Sequence, residues 1–219
     1  MAISIFDVQV PADSKVTYDV VGRFRAGHQI NKRPQSLEEW RITSDDRELL
    51  DSAAELLGGT VQTWDNEKQP YEVFTDAKTV NVTVERIFSG MTLWGRAGAV
   101  HRCDGETVSY PEENKGQACH MSGKPMDERK AAASNGTGCS PDITIRFRLT
   151  GHEDLGLFEW KTGSWGMARD IAKVESDLEK FGGKAEGTLT LEPVEFIQKS
   201  TGQNRRFIKS SVVLTKAAE

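Results

Sequence analysis

Apolar residues recur along this chain with two different periods. In "EWRITSDDRELLDSAAELLGGTV", residues 39 to 61, Trp40 and Ile42 alternate with charged Glu39 and Arg41, as in a half-buried strand. Ser44, Asp45 and Asp46 then supply a helix cap and an acidic first turn. Leu49, Leu50, Ala53, Ala54, Leu56 and Leu57 follow on one face at 3.6-residue spacing, and Gly58 can take the left-handed turn that ends a helix. The pattern predicts a helix over residues 45–57. A second stretch, "EWKTGSWGMARDIAKVESDLEKFGGKA", residues 159 to 185, repeats the logic. Phe158 and Trp160 read as strand and Ser164 as cap. Met167, Ile171, Val174, Leu178 and Phe181 form the apolar face of a helix over 166–181, and Gly182 is its stop. Alternating segments follow each Gly-Gly, so both halves read as strand, helix, strands.

These elements predict an α+β fold, mainly antiparallel, with two principal helices. The echo suggests an internally duplicated unit, although Ser44 to Gly58 spans 14 positions and Ser164 to Gly182 spans 18. The expected organisation is an α+β unit over residues 1–100, a Cys/His loop insert over 101–141 and a second α+β unit over 142–219 that shares one core with the first. Near the C-terminus, "KSTGQNRRFIK" reads as a hairpin turning at Thr201-Gly202-Gln203-Asn204.

The segment between the copies differs in kind. From Asp104 to Pro141 there is almost no apolar periodicity, only a short predicted helix in "MDERKAAAS" after Pro125. A loop this long inside a domain is functional, disordered or tied down. All three cysteines of the chain, Cys103, Cys119 and Cys139, lie in it or at its edge, with His101 and His120 beside them. An odd cysteine count argues against a disulfide framework and leaves metal binding or inert thiols. Three thiolates and one imidazole make a closed structural zinc site, whose binding energy would replace the apolar core that the segment lacks. Spacing does not choose between His101, two residues before Cys103, and His120, adjacent to Cys119.

The chain has 219 residues, 37% hydrophobic and 28% charged, with no apolar run near the roughly 20 residues of a membrane span. Its start, "MAISIFDVQVPADSK", lacks the basic and apolar regions of a secretory signal, which predicts a cytoplasmic protein. A net charge of -5 disfavours a main role in gripping nucleic-acid phosphates and favours a protein partner. No phosphate-binding loop, nucleophile elbow or zinc-hydrolase motif is present, so no catalytic residue and no small-molecule substrate are expected.

The order of "IFDV", "GRFRAG", Arg33-Pro34, "WRITSDD", "AAELLGGTVQTW", "YEVFT", Leu93-Trp94, "RCDGE" at 102–106, the later cysteines and "GLFEWKTGSWGMA" resembles the actinophage recombination directionality factors and their actinobacterial relatives. The resemblance covers nearly the whole chain. It implies a non-catalytic switch in the bacterial cytoplasm that binds a large serine integrase, touches DNA only through it, and turns it from integration to prophage excision. The alternative is a zinc-containing nucleic-acid-binding accessory of phage replication or recombination. The family pattern has a C-x-C pair where this chain reads Cys119-His120-Met121. The expected zinc ligands are therefore Cys103, Cys119, Cys139 and one histidine, His120 before His101. The expected docking surfaces are this clamped region and "GRFRAGHQINKRP", with Phe24, Arg25, Ile30 and Arg33 as the side chains to truncate first.

Overall fold

The computed structural model describes residues 19–31, 33–198 and 202–218. The "IFDV" motif, Lys32 and Thr201 of the expected hairpin turn lie outside the described residues. Among the described residues the chain folds as two compact units, one of Ile87–Ile145 with Lys161–Asp177, the other of residues 19–86 with Arg146–Trp160 and residues 178–218. The class is α+β, as the periodicity predicts. Among the described residues, no helix is long and apolar enough to cross a membrane.

The second unit contains β1 (Val20–Ile30), β2 (Arg33–Ser44), α1 (Arg47–Leu57), β3 (Val61–Thr63) and β4 (Tyr71–Phe74). It also holds the first half of β5 (Thr79–Gly95), the end of β8 (Ser140–Leu149), most of β9 (Leu157–Thr162), β10 (Ala185–Ile197) and β11 (Asn204–Ala217). Its strands lie in the order β11-β10-β5-β8-β9-β1-β2-β4-β3. β1 pairs with β2 antiparallel and with β9 in parallel, while β4 pairs antiparallel with both β2 and β3.

Period-two alternation sends Phe24 of β1, Trp40 and Ile42 of β2, Val73 of β4, Phe147 of β8, and Phe158 and Trp160 of β9 into one core, each at most 2% exposed. Phe24 sits at its centre, edge-on to Trp40, Phe147 and Phe158 with centroids 5.8, 5.1 and 5.4 Å away. Trp40 and Trp160 meet edge to face at 5.3 Å, a favoured aromatic geometry. The two echoing tryptophans are thus neighbours in one core.

The local order of strand, helix and hairpin recurs as the echo suggests, but the pairing does not. β4 of the first hairpin returns to β2, the strand before its helix, whereas β10 of the second pairs with β5 and not with β9. Similar cap and stop residues therefore serve two different strand connections.

Asp46 is the helix cap of α1, accepting from the Leu49 N–H at 3.1 Å, while Ser44 donates to the Val21 carbonyl at 2.6 Å. Leu49, Leu50 and Ala53 are buried, but Leu56 in the last turn is exposed. Beyond α1, Gly59 has φ +95°, and a Cβ there would lie 2.1 Å from the Phe74 carbonyl oxygen. Gly59→Ala is expected to cost about 1–3 kcal/mol for the backbone conformation alone, and more for the overlap, read as a lowered thermal midpoint.

The first unit contains the rest of β5, β6 (Gly98–Cys103), β7 (Val108–Tyr110), α2 (Met126–Ser134), the start of β8 and α3 (Trp165–Lys180) as far as Asp177. β5, β6 and β7 form an antiparallel meander. Ser164 caps α3 by accepting from the Met167 N–H at 3.3 Å, as predicted. Met167, Ile171, Val174 and Leu178 are buried, and Phe181 is half-buried. Buried Glu175 accepts from the Ser89 hydroxyl at 2.7 Å.

Candidate metal centre

The polar segment after β6 is ordered by hydrogen bonds rather than by an apolar core. Asp104 Oδ1 accepts from the N–H groups of Glu106 and Thr107 at 2.8 and 2.7 Å, an Asx turn that reverses the chain at Gly105. Arg129 of α2 is 4% exposed, yet its charge is answered on every side. It donates to the carbonyls of Lys124 and Gly105 at 2.9 and 2.8 Å and to Glu106 Oε1 at 2.8 Å. Ser122 donates to the other oxygen of Glu106. α2 is thereby fixed on the Asp104–Glu106 turn, and an unpaired guanidinium would be too costly to bury there.

This scaffold brings four donor groups together. β6 pairs Leu93 with His101 and Met91 with Cys103, which places the histidine and the cysteine two residues apart on one face of the strand. Cys119 is held by its N–H on the Glu106 carbonyl at 2.7 Å, and its own carbonyl accepts from the Ser122 N–H. Cys139 immediately precedes β8. One ligand atom each from His101, Cys103, Cys119 and Cys139 lies within 4.8 Å of the others, and the three cysteines are buried and free. This group can hold a metal ion. The Nε2 atom of His101 is buried and makes no hydrogen bond among the described residues, which is costly unless another partner satisfies it.

The histidine in the group is His101, not His120. His120 is exposed; its Nε2 lies 3.1 Å from the Thr137 carbonyl oxygen, and its Nδ1 is 4.0 Å from Cys119 Sγ. Its ring meets that of His101 at 5.4 Å, so it flanks the group from outside.

Three thiols this close cannot ionise independently. Hydrogen bonds with Cys103 and then Cys139 drive the Cys119 thiol far below the usual range. Cys103 is driven far up by its bonds with Cys119 and Cys139 and by burial. Cys139 is pushed up to about 12: contact with Cys103 lowers it, but contact with Cys119 and burial outweigh that. A cation among the sulfurs reverses this order, because coordination strips the thiol protons.

The side chains expected to dock lie in the other unit. Phe24 is in the aromatic core and is not available to a partner. Arg25 is half-buried on the opposite face of β1, whereas Ile30 is 43% exposed and Arg33 is exposed at the end of the β1–β2 hairpin. Arg129 and Glu106 were not singled out by sequence reading. The "RCDGE" turn carries a signal for Glu106, but nothing local marks an arginine within "MDERKAAAS" for burial.

The family model described as "Gp3-like: Recombination directionality factor-like" matches residues 21–215. No solved structure matches the chain.

Proposed function

Because the chain belongs to the Gp3-like family of recombination-directionality-factor-like proteins, we propose that it binds a large serine integrase and switches it from integration to excision. The family match over residues 21–215 carries this reading. The net charge of -5 supports it, since a factor that acts through the integrase protein needs no broad basic surface of its own. The role is regulatory, with DNA reached through the integrase. Such a switch works by binding the excision-competent arrangement of integrase more tightly than the other. About 1.4 kcal/mol of difference gives a tenfold bias.

The metal in this reading is one structural zinc ion held by His101, Cys103, Cys119 and Cys139. A tetrahedral zinc with Zn–S bonds of about 2.3 Å sets its sulfurs about 3.8 Å apart. Cys103 and Cys139 Sγ stand at 3.8 Å, and His101, whose buried Nε2 makes no hydrogen bond among the described residues, supplies the fourth donor. Zinc would tie the two ends and the middle of the polar insert together, without a catalytic role. Ile30 and Arg33 are the exposed side chains proposed to meet the integrase, with half-buried Arg25 further back on β1 and Phe24 packed in the core.

Mixing the purified protein with its cognate integrase, without DNA, tests the partnership. A shared peak in size-exclusion chromatography is expected. Retention that appears only when DNA is added, and that fades with salt, would instead mark a nucleic-acid-binding accessory.

A further inference from the structure

The outer face of β1, β2 and β4, opposite the aromatic core, carries two registered rows of side chains. In one, Arg23, Thr43, Glu72 and Gln62 lie directly across from one another; in the next, Arg25 faces Arg41, which faces Phe74. Arg23 pairs with Glu159 at 2.8 Å. Arg41 pairs with Glu72 through Nε at 2.6 Å and lies over the Trp64 ring at 4.2 Å. Glu72 is then fully used, because its other oxygen accepts from Gln62 at 3.0 Å.

Arg25 has no such partner. Its Nε donates to Thr43 Oγ1 at 3.0 Å and its Nη2 to Gln69 Oε1 at 3.1 Å, both neutral acceptors. Among the described residues, its Nη1 makes no hydrogen bond and no carboxylate pairs with it. Like charges directly opposite on a sheet are unfavourable, and burial adds to the cost. Burial first, and then Arg41 and Arg23, hold the Arg25 pKa below its ordinary value.

This arginine lines a cavity of about 810 Å³. Beyond Arg25 the β1–β2 ladder breaks and resumes at Gly27 opposite Ser36, with four residues of β2 against one of β1. The hairpin arm beyond the break contributes His28, Gln29, Pro34 and Gln35 to the cavity lining, and the sheet and the loop after β3 contribute Arg25, Arg41, Phe74 and Trp64. Aromatic walls around one under-compensated cation are the ingredients of an anion-specific pocket.

We propose that this cavity receives an aspartate or glutamate side chain from a protein partner, the carboxylate held by Nη1 of Arg25 and the adjoining apolar chain by Trp64 and Phe74. One singly charged oxyanion balances the guanidinium of Arg25, which has no carboxylate paired with it among the described residues. A doubly charged phosphate would stand against Glu72 in the same lining, and the net charge of -5 works against a polyanion. The proposal rests on the reading that this protein acts by binding another protein, and it names the chemistry that the partner presents.

The test is an NMR titration of the full chain at low salt with the blocked peptide acetyl-Ala-Glu-Phe-Glu-Ala-amide, its glutamine counterpart and inorganic phosphate. The Arg25 Nε–H and Trp64 indole signals should move and saturate with the glutamate peptide, at least tenfold more weakly with the glutamine peptide or phosphate. Arg25→Gln should abolish the response while keeping the wild-type amide spectrum, and the surface control Arg47→Gln should leave it intact. Equal binding of the glutamine peptide, or an undiminished response in Arg25→Gln, would overturn the proposal; phosphate binding as tightly would overturn the carboxylate assignment. If wild type and Arg25→Gln capture integrase equally, this proposal fails while the directionality reading stands. A peptide response as expected with no integrase capture gives the reverse.

Discussion

Cys103→Ser and Cys139→Ser variants are expected to lose about one zinc ion per chain and to melt well below the wild type. The segment they tie down has little apolar material of its own: Cys103, Val108, Cys119, Met121 and Cys139 are its buried apolar side chains between β6 and β8. Structural zinc contributes on the order of 10 kcal/mol of apparent binding free energy, and removing one thiolate forfeits much of it. Even a loss of about 3 kcal/mol would lower the midpoint of a chain this size by roughly 6–12 °C. Elemental analysis of protein purified without added metal, with thermal melts before and after chelation, gives both readouts. The histidines separate cleanly: His101→Ala should release the metal, and His120→Ala should keep it. Full metal content in His101→Ala would contradict the assigned donor set.

Phe24→Ala is expected to cost about 3–5 kcal/mol, the range for removing a buried aromatic side chain. Phe24 touches Trp40, Phe147 and Phe158, so its loss leaves a cavity against three rings that cannot all close in. Ile30→Ala, at a site 43% exposed, should change stability by well under about 1 kcal/mol. Denaturant unfolding of the two variants separates a core position from a surface position on the same strand. A Phe24→Ala protein as stable as the wild type would refute the core assignment.

The helices were legible because their signals are local. Ser44 to Asp46 and Ser164 open them, apolar spacing carries them, and Gly58 and Gly182 close them, all within one stretch of chain. α2 was legible from Pro125 in the same way. The burial of Phe24 was also written locally, in the alternation of Arg23, Phe24 and Arg25, but a run rich in arginine reads as surface until its strand is placed in a sheet. Strand pairing was not legible: nothing in the period of β10 says that it returns to β5, because alternation fixes which face is buried and not which neighbour is met. The choice of His101 depended on the same missing information. Adjacency in sequence favours His120 beside Cys119, whereas the antiparallel register of β5 and β6 and the turn at Asp104 bring His101 to the sulfurs. The cavity at Arg25 needs the ladder break before Gly27 and a tryptophan from a later loop, and neither has a local signature.

The proposed function is tested most directly by recombination between paired hybrid attachment sites, using purified protein, the cognate integrase and no other factor. Integrase alone should leave the hybrid sites essentially unrecombined, and adding this protein should convert them to the separated phage and bacterial sites while suppressing the integration reaction. Unchanged direction in both reactions, with the two proteins failing to associate, would contradict the account.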